Sequence, residues 1–416
     1  MKKYLLLSLI TFIIGFTSCK SSKVITKSVF DISEIKIDVE TLSADEMEGR
    51  ETGTRGEQLA AQYISKRMKT IGLNPKGDND GYIQIFTKRI KSNPHSNEPS
   101  ADDKVVLGKN IIGYIDNGVK NTVVIGAHYD HLGYGAEGSL YVGEPAIHNG
   151  ADDNASGVAG LLRIATKITN IDSKKFNYLF IAFSGEEKGL WGSNYFTKHP
   201  TIEKEAINYM INMDMIGRLN AEKQLAIYGT GTTPTWNEAL KTKSTNHFKI
   251  KEEKSGMGPT DHTSFYLEDI PVLQFFTGQH EDYHKPSDDA HLINYNGIVQ
   301  ITDYILEIIN NTVGKGKLRF TKTEDAKKGK RDFKVTLGVM PDYLFDGLGM
   351  KIDGVKDNRP ADLANLKKGD VVIKMGHVEI FDMMSYMHAL GVFEKGQTID
   401  ITIIRDGKEN IRKLTF

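Results

Sequence analysis

The stretch from Gly126 to Gly157 constrains this chain more than any other. Just before it, Asn121-Thr-Val-Val-Ile125 is a β-branched apolar run of the kind that forms a buried strand. The run leads into Gly126-Ala-His-Tyr-Asp-His131, then through a polar loop to Asn149-Gly-Ala-Asp-Asp-Asn-Ala-Ser-Gly157. Val158, Leu161, Leu162, Ala165 and Ile168 follow at helical spacing. One strand therefore ends in His128-x-Asp130, and one helix begins just after Asp152-Asp153. Imidazole and carboxylate gathered at a strand end are what an open α/β sheet needs to build a metal site.

The same arrangement recurs along the chain. Gly81 to Phe86 and Asn110 to Ile115 read as short strands. Asn177 to Phe183 is a buried strand that ends in Ser184-Gly185-Glu186-Glu187. Ala206 to Met213 ends at Asp214, and Ile270 to Phe276 is followed by Asp282-Tyr283-His284. Helical stripes at 57–71 and 298–309 alternate with these strands, which predicts a layered α/β sheet. In such a sheet ligands collect at the carboxyl ends of the strands, where these histidines and acids lie.

Five side chains, His128, Asp153, Glu187, Asp214 and His284, are of the types that hold zinc in catalytic sites. Five are one too many for a single catalytic zinc and suit two ions sharing one carboxylate. Two metals about 3.5–4 Å apart clamp a shared hydroxide and polarise the carbonyl it attacks. Glu186, beside Glu187, is then placed to act as general base. Taken singly, each residue has a plainer reading: adjacent acids are usually solvated charges or helix caps, and a lone histidine is usually a packed one. Their joint occurrence at successive strand ends favours the metal.

Gly126-Ala-His-Tyr-Asp, Gly150-Ala-Asp-Asp-Asn-Ala-Ser-Gly, Phe183-Ser-Gly-Glu-Glu, Asn212-Met-Asp-Met and Asp282-Tyr-His together resemble the di-zinc aminopeptidase family. That family includes bacterial leucyl aminopeptidase, aminopeptidase S and relatives of glutamate carboxypeptidase II. The resemblance covers residues 35–312. It implies a three-layer αβα zinc-exopeptidase fold with a mixed central sheet and two Zn²⁺ per chain. It implies that Asp153 bridges the ions, with His128 and Asp214 on one, Glu187 and His284 on the other, and Glu186 as base. Asp130 is expected to hydrogen-bond His128 and set its tautomer, and Tyr283 to stabilise an oxyanion or simply pack its ring. The Leu42–Gly56 stretch and Gly258-Pro-Thr-Asp-His-Thr-Ser-Phe265 also look familiar from lipoprotein members. The first reads as part of a helical segment packed on the sheet, and Asp261 and His262 as a pair capping a helix. His131 and His148 read as loop residues. Glutaminyl cyclases share the fold with one zinc and a similar ligand set, so the ligands alone leave cyclisation open.

The chain's two ends add context. Lys2-Lys3, the apolar run Tyr4 to Phe16 and the small residues before Cys19 resemble a bacterial lipoprotein signal, with Phe16 in place of the usual leucine. Cys19, the only cysteine, is the expected lipidation site, and residues 20–34 the tether. This predicts an exported, membrane-anchored lipoprotein facing a bacterial periplasm. Lys plus Arg number 53 against 54 acids, so no basic field invites nucleic acid. Residues 313–332 are Gly- and Lys-rich and read as a linker. Beyond them, 333–416 resembles a PDZ domain, with Gly347-Leu348-Gly349-Met350 as the loop that captures a peptide's C-terminal carboxylate. The expected activity is removal of N-terminal residues from peptides. The alternatives are a carboxypeptidase or dipeptidase of the same fold, or a PDZ-based binding scaffold with an inert peptidase domain.

Overall fold

A computed structural model describes residues 22–90, 100, 103–170, 175–323, 334–342, 345, 347–355, 358–381 and 383–416. The signal segment and Cys19 lie outside the described residues. Helices α1 (Ser22–Leu42) and α2 (Arg55–Ile71) open the chain. Thr54 caps α2 by accepting a hydrogen bond from the Glu57 amide, and Gly72 ends it at φ 92°. The tether expected at 20–34 is instead helical from Ser22 on. Once Ile35, Val39 and Leu42 are packed in the core, each further turn needs no new nucleus.

Strands β1 (Asn74–Pro75), β2 (Ile83–Ile90), β3 (Lys104–Ile115) and β4 (Thr122–His128) follow, then helix α3 (Gly157–Thr169) and β5 (Asn177–Phe183). After them come α4 (Trp191–Lys198), β6 (Ile207–Met213), β7 (Gln224–Tyr228), α5 (Trp236–Ala239) and β8 (Lys249–Glu253). Helix α6 (His262–Tyr266), β9 (Val272–Phe276) and α7 (Tyr295–Asn311) complete the unit. The nine strands form one sheet in the order β1-β3-β5-β4-β6-β9-β7-β8, with β2 on β3. β5, β4, β6 and β9 run parallel, whereas β3 is antiparallel to β5 and β7 is antiparallel to β9, so the sheet is mixed.

Every residue of β4, β5 and β6 is buried, as parallel strands covered on both faces require. Their side chains alternate between two cores. Val123, Ile125 and Ala127 pack with α1, α2, α3 and α7 on one face; Val124, Leu179 and Ile181 pack with Phe196 and Phe265 of α4 and α6 on the other. This is the expected three-layer arrangement. It turns the carboxyl ends of four parallel strands toward one rim.

Part of the expected linker is docked on this unit. Leu318 is buried in the main core and its amide donates to Asn208 Oδ1 at 2.7 Å. Thr321 N donates to Thr232 O at 2.8 Å, and Thr323 Oγ1 lies 2.8 Å from the Tyr266 hydroxyl. The alternation of Leu318 and Phe320 carries that docking, which the Gly and Lys content of the segment hides.

The second domain has its own core, built on Leu337, Ile352, Val372, Ile401 and Ile403. Its elements are β10 (Val339–Pro341), β11 (Met350–Val355), helix α8 (Pro360–Leu363), β12 (Val371–Met375), β13 (Val378–Glu379), helix α9 (Met383–Val392), β14 (Thr398–Arg405) and β15 (Lys408–Thr415). The sheet order is β10-β11-β12-β14-β15. This corrects the assignment of Gly347, Leu348, Gly349 and Met350 as a carboxylate-capturing loop. Met350 begins an interior strand: it faces Val372 on β12, while Asp342 N donates to Lys351 O at 2.8 Å on the other side. The Gly349 amide is already spent on Phe381 O at 2.9 Å. A strand bonded on both edges has no row of groups for a peptide to pair with. β10 and β15 end the sheet, and the amides of Lys334 and Val335 just before β10 donate to Leu390 O of α9.

Candidate metal centre

His128 is the last residue of β4, Glu186 and Glu187 follow β5 closely, and Asp214 follows β6 directly. Asp153 sits in a tight turn between β4 and α3, and His284 in the loop after β9. The turn at Asp153 is closed by Gly150 at φ 55°, where a Cβ would come within 2.1 Å of Asp153 O. Parallel strands thus deliver all five residues to one rim, although His284 comes from 8 residues beyond its strand.

Asp153 is at the centre. Its Oδ1 lies 3.3 Å from His128 Nε2, and its Oδ2 lies 3.2 Å from His284 Nε2. His128 Nε2 is also 3.3 Å from Asp214 Oδ1, and His284 Nε2 is 3.3 Å from Glu187 Oε2. One carboxylate therefore faces two imidazole–carboxylate pairs, one through each oxygen. Zinc bound at about 2.0–2.1 Å by a tetrahedron of N and O atoms sets those atoms roughly 3.3 Å apart. The donor set and its spacing fit two zinc ions.

Charge follows the same division. Burial would raise Asp153, but hydrogen bonds from His128 and His284 hold it well below the usual carboxylate range. Burial likewise pushes against Glu187, yet His284 and a hydrogen bond from His131 bring it down to about 2. Glu186 goes the other way: burial lifts it well above the ordinary value, and Asp214, Glu187 and Asp261 add to the lift against the pull of His128. Two adjacent glutamates are thus driven apart, one to a fixed anion and one to a group that holds a proton readily.

Asp130 does two things, neither as simple as the expected carboxylate–imidazole bond. Its backbone carbonyl lies 3.2 Å from His128 Nδ1, nearer than its carboxylate at 3.8 Å. The carboxylate accepts instead from Glu186 N at 3.1 Å and from Thr52 Oγ1 at 3.0 Å. The tautomer-setting bond therefore comes from the main chain, and the side chain fixes the backbone of Glu186. Tyr283 stacks on His284, ring centroids 3.9 Å apart, and lines the cavity.

Several residues enter the site that the sequence reading put elsewhere. His131, read as a loop residue, is buried with Nδ1 2.8 Å from Glu187 Oε1, and it belongs with Asp153 and Glu187 to a group able to hold a metal. His128, Glu186 and Asp214 form a second such group, with ligand atoms within 4.8 Å of one another. His148 is also buried, bonded to Ser139 Oγ and Ala146 O. Asp261 occupies the N-cap position of α6 but makes no side-chain cap, which corrects the capping role. Its carboxyl is fully buried and lifted by that burial to about 7. His262, pushed down to about 3 by burial, lines the cavity with neither ring nitrogen hydrogen-bonded.

The Leu42–Gly56 stretch does more than pack a helix. Arg50 is buried, and its guanidinium donates to the carbonyls of Leu42, Tyr129, Asn149 and Gly150. It joins the strand end bearing His128 to the turn bearing Asp153. Burial lowers it to about 10 against the opposing pull of Asp153, Asp288, Asp130 and Glu187, so it stays charged beside the acids. Asp288 accepts from the amides of Asp152 and Asp153, both at 3.0 Å. Asn154 donates to Met213 O at 3.0 Å and accepts from Met215 N at 3.1 Å, gripping both sides of Asp214. A cavity of 360 Å³ opens over the cluster, lined also by Met215, Tyr228, Gln274, Phe276 and Gln279.

A mixed α/β sheet with carboxylates and imidazoles at the ends of its parallel strands defines the class: an α/β protein with a candidate metal centre. The model of Peptidase family M28 matches residues 110–309 and that of the PDZ domain matches 318–414. The sheet domain belongs to peptidase family M28, and a PDZ domain follows it. Among curated proteins the chain is similar to Aminopeptidase YwaD of Bacillus subtilis, 27% identical over 207 residues. That match covers 47% of this chain and 42% of the relative, so the chain spans less than half of that relative's length. A leucine aminopeptidase precursor from Bacteroides thetaiotaomicron superposes with a TM-score of 0.52 at 18% identity, covering 68% of this chain and 97% of that one. A glutaminyl cyclase from the same organism gives 0.53 at 18% identity over 68% and 98%. The two agree in fold equally well, so the fold does not separate their reactions.

Replacing Arg50 by Met leaves four carbonyls without their shared donor. We expect a loss of about 3 kcal/mol or more in unfolding free energy, together with weaker zinc retention. Thermal unfolding and metal content after dialysis check both.

Proposed function

We propose that the chain is a zinc-dependent aminopeptidase that removes N-terminal residues from peptides and holds two zinc ions. The observation that carries this reading is Asp153, whose two oxygens face His128 and His284 separately. One ion would be held by His128, Asp153 and Asp214, the other by Asp153, Glu187 and His284. Zinc, when bound, supplies Lewis acidity toward the scissile carbonyl and lowers the pKa of the attacking water.

The chain's own groups supply the rest. Glu186, its backbone fixed by Asp130, takes the proton of the attacking water and returns it to the leaving amine. The Asp130 carbonyl orients the His128 ring. Tyr283, stacked on His284 at the cavity wall, faces the carbonyl as its charge develops. Among the described residues no Lys or Arg lines this cavity, whereas Asp153, Glu186, Glu187 and Asp214 all do. The cavity thus offers a substrate carboxylate no cationic side chain beside the metals, which favours an aminopeptidase over a carboxypeptidase. A complete set of ligands argues against an inert scaffold.

The test is Glu186→Gln, measured with an aminoacyl anilide and with metal analysis on the same preparations. Two zinc per chain should be found in both proteins, and turnover should fall by about 10²- to 10⁴-fold in the variant. One zinc per chain, with cyclisation of an N-terminal glutamine peptide and no anilide hydrolysis, would establish the cyclase reading instead.

We also propose that the PDZ domain takes a peptide along β10 rather than at Gly347–Met350. β10 ends its sheet, and the residues before it lie against α9. A Val339→Pro change should weaken binding of a C-terminal peptide library at least tenfold, while Leu348→Ser leaves it unchanged; equal losses would refute the placement. For localisation, the proposal remains a lipid anchor on Cys19. No helix among the described residues is long and apolar enough to cross a membrane. Palmitate labelling of the full chain should disappear in Cys19→Ser.

A further inference from the structure

A second cavity of 240 Å³ adjoins the metal centre and has no part in the reading above. Its lining includes Phe86 and Lys88 of β2 and Trp191, Tyr195 and Lys198 of α4, with Gly189 at its inner edge. Gly189 also lines the metal-centre cavity, so the two spaces share a wall one residue thick. That wall is low. Gly189 is exposed, and a Cβ built on it meets nothing within 4 Å. It is also close to the chemistry, because its amide donates to Glu186 O at 2.8 Å in the turn that carries the base.

The two cavities differ in the charged side chains that line them. The metal-centre cavity is walled by four acids, whereas the second presents Lys88 and Lys198. Neither lysine has a carboxylate within salt-bridge distance among the described residues. Lys188, which lies between the two spaces in sequence, is by contrast bonded to Glu51 and Glu137. The floor is aromatic: Tyr195 packs on Phe86 at 5.7 Å between centroids, and Lys88 Nζ stands 5.7 Å from the Trp191 ring centre. Trp191, Tyr195 and Lys198 fall at helical spacing on one face of α4, so the sequence presents ring, ring and cation in a row.

We propose that this second cavity binds the leaving end of the substrate, with Lys88 and Lys198 holding its free C-terminal carboxylate. The inference rests on the aminopeptidase reading and narrows it to short peptides. A short peptide is a zwitterion: with its amine at the metal centre, its carboxylate would meet the ammonium groups of the second cavity. An extended chain advances about 3.4 Å per residue, and the residues beyond the scissile bond would run past Gly189, which lines both cavities, toward the lysines. The Trp191 and Tyr195 rings would pack against the side chain of the last residue.

The experiment uses the zinc-loaded full chain and three substrates sharing one N-terminal residue: a tripeptide, the same tripeptide amidated at its C-terminus, and the aminoacyl anilide. For the native protein, kcat/KM for the free acid should exceed that for the amide roughly three- to tenfold, the range expected of exposed charge pairs. The difference should lie in KM and shrink at high salt. In the Lys88→Gln/Lys198→Gln double variant, acid and amide should be cut at equal rates, with anilide hydrolysis within about twofold of native. Equal rates for acid and amide in the native protein, or an acid preference that survives the double substitution, would overturn the proposal while leaving the aminopeptidase reading intact. Failure to cleave any of the three with zinc bound would remove both.

Discussion

The site depends on one carboxylate shared between two imidazoles. Asp153 sits among Asp130, Glu186, Glu187 and Asp214, and like charges 4 Å apart repel by about 4 kcal/mol even at an effective dielectric constant of 20. The fold must bring compensating charge to the same place. It does so with His128 and His284 on the two oxygens of Asp153, His131 on Glu187, and the buried Arg50 behind them. What these groups leave uncompensated falls on Glu186, whose carboxyl is lifted well above its ordinary range. A pair of divalent ions fits here because the remaining negative charge is concentrated between the pairs that face Asp153.

Strand ends alone do not place side chains to a fraction of an ångström, since the residues sit on loops. Side-chain-to-backbone bonds make those loops rigid. Arg50 gathers four carbonyls, Asp288 takes two amides of the metal-binding turn, and Asn154 grips the backbone on either side of Asp214. Glu57, buried at the start of α2, accepts from Ser184 Oγ at 2.7 Å, two residues before Glu186. The helices thus do more than cover the sheet: their ends reach into the rim and fix it.

Much of this was legible in the sequence. The strands β4, β5, β6 and β9 announce themselves as apolar runs, so the sheet could be read together with the histidines and acids that follow its strand ends. The residues that were missed act through tertiary contacts that carry no local pattern. Arg50 and Glu57 look like ordinary charges in a polar stretch until the fold closes over them. His131 sits three residues past His128, and no periodicity distinguishes a ligand from a neighbour there. β8 escaped notice because this edge strand is of mixed polarity, and β7 beside it because its apolar run is only three residues long. The Gly-Leu-Gly-Met segment misled for a related reason: a motif names a loop, but only strand pairing shows whether its edge is open.

The two adjacent glutamates show how far backbone geometry reaches into chemistry. Glu187 points to His131 and His284, while Glu186 lies toward His128 and Asp214. A single tight turn therefore delivers one side chain to each half of the centre. Asp130 ties that turn to His128 at both ends, its carboxylate on the Glu186 amide and its carbonyl beside the imidazole. The spacing of Glu186 and His128 is thus tied through Asp130. Opposite proton affinities in neighbouring glutamates then follow from position alone, because one faces cations and the other faces anions.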